Sequence, residues 1–329
     1  MKKFTAIALS LSLFGAVPVF SQIDLSSITD KIDDFAGELA GTLPMTSTIG
    51  LNWSGAHVGL FGVGLSGGFT TLKSDTLGDL IGEFGVSGNR LPDWTGSLGT
   101  PLPAYAIDGR FGITKNLDIG VKFGWIPDSI KGLAGDNLNL DYLLAGAQVR
   151  LKILPIFHVG VGYNFLKGGI GTTLPVGTTF DVGNPATTIT VKDPELSLNW
   201  SSHVIDAQAQ VSIPIIIATP YAGLGVNYAW SNAGYNLKVS TDLSPTDKTT
   251  LENAGIDISD DKNFGKTSEV APGLGFRVYG GISFNVTILK IDLTVMYNLG
   301  SDVNDLGNLF SDIGQKGSLG ATLGIRVQL

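Results

Sequence analysis

The chain contains no cysteine, three histidines, three methionines and only 15% charged residues. It also lacks any second run of apolar residues approaching the roughly 18 that a membrane-crossing helix needs. Each absence excludes something. Without cysteine there is no disulfide scaffold, no thiol nucleophile and no cysteine to carry a lipid behind an export signal. Without a long apolar run a helical membrane protein is excluded. The histidines are His57, His158 and His203. His203 with Asp206 is the one acid–base pair they offer, and no serine or second acidic pair at matching spacing joins it, so no enzyme is read.

Lys2-Lys3, the apolar stretch Ala6 to Val17 and the small residues before Ser21 form a secretory signal peptide over 1–21. Losing Lys2 and Lys3 moves the formal charge from -8 to -10, the wrong sign for nucleic acid. Glycine is abundant, with 45 residues in 329, yet it shows no collagen period.

What is present is alternation. Tyr105, Ile107, Phe111 and Ile113 share a face with Leu117, Ile119, Val121, Phe123 and Trp125 across a tight turn at residues 114–116. The opposite face reads Asp108, Arg110, Gly112, Asp118, Gly120, Lys122 and Gly124. Two ten-residue runs of period two with an unbroken apolar face suit strands that meet lipid on one side. The pattern recurs over Leu143 to Phe165, Ile205 to Trp230 and Phe276 to Tyr297, and a last strand runs from Leu319 to Leu329. With a first strand at 56–70 this predicts an all-β, antiparallel, up-and-down transmembrane barrel of ten strands over 46–329, eight or twelve being the alternatives. A soluble sandwich would carry a charged outer face, and a β-helix a short fixed repeat.

Turns near 114, 154, 215 and 287 are brief, whereas 72–103, 167–195, 231–268 and 299–317 are long. Short turns face the periplasm in such barrels, which places both termini there. Trp125, Phe165, Trp200, Trp230 and Tyr297 then fall at the outer strand ends as an aromatic girdle. Ahead of the barrel, residues 22–45 carry an apolar stripe at helical spacing (Leu25, Ile28, Ile32, Phe35, Leu39) opposite Asp30, Asp33, Asp34 and Glu38. This segment is read as a plug or a periplasmic helix.

The predicted lumen lining is Asp108, Arg110, Asp118, Lys122, Arg150, Lys152, His158, Asp206, Arg277, Lys290, Asp292 and Arg326. Two readings stand: a salt-bridged interior that closes the barrel, which ten strands favour, or a selectivity lining for an anionic solute. A plug would set its acidic face against Arg110, Lys122, Arg150 and Arg277. Inward glycines, among them Gly124, Gly223 and Gly225, relieve curvature, admit the plug or leave room for a solute. No cofactor or metal site is read. Gly62 to Gly68 lacks the βαβ unit of a nucleotide loop, and the acidic stretch Asp242 to Asp261 lacks calcium-loop spacing.

These features together resemble the bacterial outer-membrane β-barrel proteins. The resemblance implies outer-membrane lipid as the surroundings and a terminal signal, Ile325, Val327 and Leu329, read by the barrel-assembly machinery. Leu329 stands where that family usually ends in an aromatic. The helix before the barrel is loosely similar to the fatty-acid transporter type, which has more strands and a longer plug. The expected function is passive passage or binding of a small or lipophilic solute; the alternative is a structural or adhesin-like barrel with a closed lumen and functional extracellular loops.

Overall fold

The computed structural model describes residues 25–50, 61–72, 100–127, 138–173, 178–182, 187–242, 246, 249, 261–299 and 318–328. The signal peptide, His57, most of the acidic stretch and Leu329 lie outside them. Helix α1 (Leu25–Ser47) comes first. Twelve strands follow: β1 (Phe61–Leu72), β2 (Thr100–Gly112), β3 (Leu117–Trp125), β4 (Leu138–Leu154), β5 (Phe157–Thr173), β6 (Thr178–Val182), β7 (Thr187–Val191), β8 (Glu195–Ser212), β9 (Ala218–Asp242), β10 (Asp261–Val286), β11 (Leu289–Asn298) and β12 (Ser318–Gln328).

Ten of these strands form a closed antiparallel barrel in which chain neighbours are sheet neighbours. The seam is β12 on β1, running from Gly62 opposite Gln328 to Thr70 opposite Gly320. The remaining two, β6 and β7, form a hairpin attached to the end of β9 through Thr190 and Val191. Closure pairs every wall strand on both sides, the condition for placing a sheet in hydrocarbon. No helix among the described residues is long and apolar enough to cross a membrane.

The alternation is realised as an inside and an outside. Leu65, Val161 and Leu224 point outward at 58%, 59% and 62% exposure. Their inward neighbours Ser66, Gly160 and Gly225 are buried. An apolar exterior around a buried polar interior inverts the pattern of a soluble protein. Ile325 and Val327 lie on the outer face of β12.

Strand lengths exceed the expectation on one side. The segments 167–195 and 231–268 were expected as loops, yet β5, β8, β9 and β10 continue into them, with β9 and β10 paired from Asp261 opposite Ser240 through the barrel. Beyond the lipid band the outward residues need not be apolar, so the stretch Ser231 to Asp242 loses the signature by which strands were recognised while keeping its ladder. Short turns join strands at 113–116, 155–156, 213–217 and 287–288. Two of them hold non-glycine residues at positive φ, Ile216 at 47° and Thr287 at 55°.

Candidate functional site in the barrel lumen

Helix α1 touches β1, β2, β5, β8, β9, β10 and β12, strands drawn from all round the wall, because it lies inside the barrel. It extends two residues past the expected boundary at 45. Phe35, Ala36, Leu39, Ala40 and Leu43 are buried against Leu144, Leu166, Leu196, Trp200, Ala233 and Tyr235. Met45 and Ile49, just below, meet Ala104, Tyr221, Tyr279 and Met296. The Phe35 and Leu39 end of the stripe thus finds an apolar wall, and each large side chain fully buried contributes roughly 1.5–3 kcal/mol.

The helix enters from the end opposite to expectation. Asp33 pairs with Lys266, which sits opposite Tyr235 high on the β9–β10 ladder at the long-connection end. The helix therefore runs inward from that end, and the expectation of both termini on the short-turn side is corrected for this segment. Its foot is held by polar bonds. Thr46 Oγ1 lies 2.5 Å from Thr70 Oγ1. Lys122 Nζ donates to the carbonyls of Ser47 at 2.5 Å and Ile49 at 2.7 Å. A cation at a helix C-terminus satisfies carbonyls that have no partner within the helix. Gly50 then turns the chain with φ of +106°, where an added Cβ would also stand 3.3 Å from that of Ala106.

Two carboxylates of the helix's acidic face, Asp33 and Asp34, are turned away from the lumen arginines. Asp33 serves Lys266, Asp34 is exposed, and the arginines take their partners from the wall. Asp118 accepts from Arg110 and also from Arg150, through Nε at 3.1 Å and Nη2 at 3.0 Å. Arg110 donates onward to Gln148 at 2.8 Å. Arg326 and Ser66 both donate to Asp108, each at 3.1 Å. Arg277 Nη2 donates to Asp206 at 2.9 Å and Gln208 at 3.1 Å. Ser283 donates to Asp292. Each of these arginines has a carboxylate or amide partner one or two strands away, already fixed by register.

Of the twelve predicted lining residues, Asp108, Arg110, Asp118, Lys122, Arg150, His158, Asp206, Arg277, Asp292 and Arg326 are buried at 5% exposure or less. Lys152 and Lys290, near the short turns, are half-buried. Glycine opposite these large groups relieves crowding. A Cβ on Gly225 would come 2.7 Å from Arg277 Nε, and one on Gly223 would come 2.4 Å from the Tyr279 ring. The wall is thinned where a neighbouring strand sends a large side chain across.

One girdle expectation is corrected, and one pairing suggested by sequence proximity is absent. Trp125 and Trp230 are exposed on the outer face, and Phe165 and Tyr297 are half-buried on it, but Trp200 is 7% exposed on the inner face against the helix. It shares the inward register of Val204 and Asp206, and a girdle read from strand-end aromatics alone ignores that parity. The same parity separates His203 from Asp206: His203 lies outward, its Nδ1 2.7 Å from Tyr163 Oη, while Asp206 lies inward with Arg277. The pair therefore does not form. No group of three His, Cys, Asp or Glu able to hold a metal occurs among the described residues. What the sequence reading missed is the apolar half of the lumen. The signal was there, since Leu144, Leu166, Leu196 and Trp200 share the inward register of Gln148, Asn164 and Asp206.

No family model and no curated protein matches the chain. Among solved structures it is similar to the translocator domain of autotransporter NalP from Neisseria meningitidis, at 11% identity and a TM-score of 0.37 over 93% of this chain and 98% of that one. It is also similar to the outer membrane protease OmpT from Escherichia coli, at 9% identity and 0.37 over 82% and 97%. A third is Neisserial surface protein A, at 14% and 0.28 over 82% and 98%. Those likenesses carry no residue-level argument; the chain's own closed ten-strand wall, apolar outside and polar within, defines its class as a β-barrel of the bacterial outer-membrane type.

Proposed function

We propose that the barrel resides in a bacterial outer membrane and binds a small lipophilic solute in the long-connection half of its lumen, which helix α1 fills in the closed state. The observation that carries this reading is the apolar inner wall. A water-filled channel needs a polar lining, whereas Leu144, Leu166, Leu196 and Trp200 make this half of the lumen a chamber for apolar matter. Its occupant is a separate segment of the same chain, tied at its foot by Lys122 and Thr46. Displacing it would uncover the chamber without unpairing a strand.

Trp200 reports on the chamber. In a variant lacking residues 22–47, a brominated alkane should quench Trp200 in a saturable way, isolated by subtracting the same titration of Trp200→Phe. Full-length protein should keep Trp200 protected. If the shortened protein folds, as shown by heat-modifiable migration, and Trp200 stays protected, the chamber reading fails.

A second reading rests on a different observation. Strands β8, β9 and β10 rise past the ends of β3 and β11, and the β6–β7 hairpin extends that sheet. Tall paired strands of this kind suit a surface-interaction barrel. Removing the hairpin should leave Trp200 quenching unchanged and abolish cell-surface adhesion if this second reading holds.

A further inference from the structure

The outward face of the barrel carries one anomaly. From the level of Trp125, Phe165 and Trp230 down to the short turns, His203 is the one basic outward side chain among the described residues. It is not loosely placed. Its ring stacks on Trp230 with centroids 5.6 Å apart and planes 9° from parallel. Phe165 lies 4.8 Å away on β5. Tyr163 Oη, 2.7 Å distant, fixes Nδ1. Nε2 makes no hydrogen bond to a described residue, and in the tautomer whose Nδ1 accepts from Tyr163 it carries the proton even in the neutral ring.

The surroundings grade in one direction. Below His203 the outer face is Val161, Ile205 and Val226. Phe165 stands opposite His203, and Lys167, two residues and about 7 Å further along β5, stands opposite Ser201 and is exposed. Ser201 in turn donates to Asn232 at 3.0 Å. Hydrocarbon contact, an aromatic layer bearing an N–H donor and then a lysine match, in order, the acyl chain, the glycerol region and the phosphate of a membrane lipid.

We propose that this face is a docking site for the phosphate headgroup of an anionic membrane lipid, with His203 Nε2 and the Lys167 ammonium as its two donors and the lipid's acyl chain along Val161 and Ile205. The charge complementarity selects the occupant, because a zwitterionic headgroup brings a cation against Lys167. The proposal is independent of what the lumen carries, since every residue in it lies outside the wall.

The protein, folded in an uncharged sugar-based detergent, is titrated with dihexanoyl phosphatidate, dihexanoyl phosphatidylcholine and inorganic phosphate while tryptophan emission is followed. Phosphatidate should give a saturable change that Trp230→Phe removes, and His203→Gln and Lys167→Gln should each weaken it roughly tenfold, the factor expected for loss of a charge-assisted hydrogen bond. Phosphatidylcholine and inorganic phosphate should be at least about tenfold weaker. Unchanged affinity in both variants, equal binding of the choline lipid, or equal binding of inorganic phosphate would each overturn the site. Both substitutions are on the outer face, and heat-modifiable migration verifies that each variant is folded.

Discussion

The two halves of the lumen are built from the same strands at the same inward register, yet they are closed by different physics. On β4 the inward positions pass from Leu144 to Gln148 to Arg150, on β8 from Trp200 to Asp206 to Gln210, and on β11 from Met296 to Thr294 to Asp292. The long-connection half is filled by a segment that is not part of the wall and is held by apolar burial plus a few polar bonds. The short-turn half is filled by the wall's own side chains, ion-paired across strands at almost complete burial. Desolvation offsets much of the attraction in such pairs, so their main effect is to make any half-broken state costly. One half is closed by something removable, the other by something built in.

The comparison breaks most visibly in the charged half. Asp118→Ala leaves Arg110 and Arg150 without the carboxylate they share and should destabilise the barrel by about 3–5 kcal/mol, read by denaturant titration of folding into lipid vesicles. A loss under about 1 kcal/mol would mean that water reaches the belt and replaces the carboxylate. In the other half Leu43→Ala, at a site fully buried between helix and wall, should cost about 2–4 kcal/mol in the same titration. If the helix were merely parked in a wet lumen, the substitution would be nearly neutral. Smallest is Lys122→Met, which keeps the aliphatic stem and strands the Ser47 and Ile49 carbonyls, at a cost of about 1–3 kcal/mol. Its more telling readout is hydrogen exchange: amides of residues 33–47 should lose protection while those of β1 to β5 keep theirs. Loss of protection throughout would make Lys122 part of the wall and not the fastening of the helix.

How much of this was legible follows from what each region must satisfy. The hairpins from Tyr105 to Trp125 and from Phe276 to Tyr297 could be read because lipid demands an apolar residue at every second position, and that demand leaves no freedom. The same rule hid the upper parts of β9 and β10, where water meets the outer face and Ser231, Lys238 and their neighbours obey no such rule. The lumen charges were legible as a set because they sit opposite the apolar face. Their pairing was not, since it depends on strand register: Asp118 stands opposite Arg150 and diagonal to Arg110, itself opposite Gly120, only once β2, β3 and β4 are aligned. The helix was visible as an amphipathic stripe, but its partner surface, the inward leucines of β4, β5 and β8, looked like ordinary strand residues. Trp200 and His203, three residues apart, were both assigned by their position along the strand when parity alone puts one inside and the other outside.

The most direct test of the two-part closure is planar-bilayer conductance of the barrel lacking residues 22–47. Sequence alone suggests that removing a plug opens a pore. The structure leaves the belt of Asp108, Arg110, Asp118, Arg150, Asp206, Arg277 and Arg326 intact beneath it. The shortened protein should therefore insert, show Trp200 open to an apolar quencher, and carry no steady channel current. A sustained ohmic current from that variant would contradict the account, because the charged half would then be no seal and the helix alone would close the barrel.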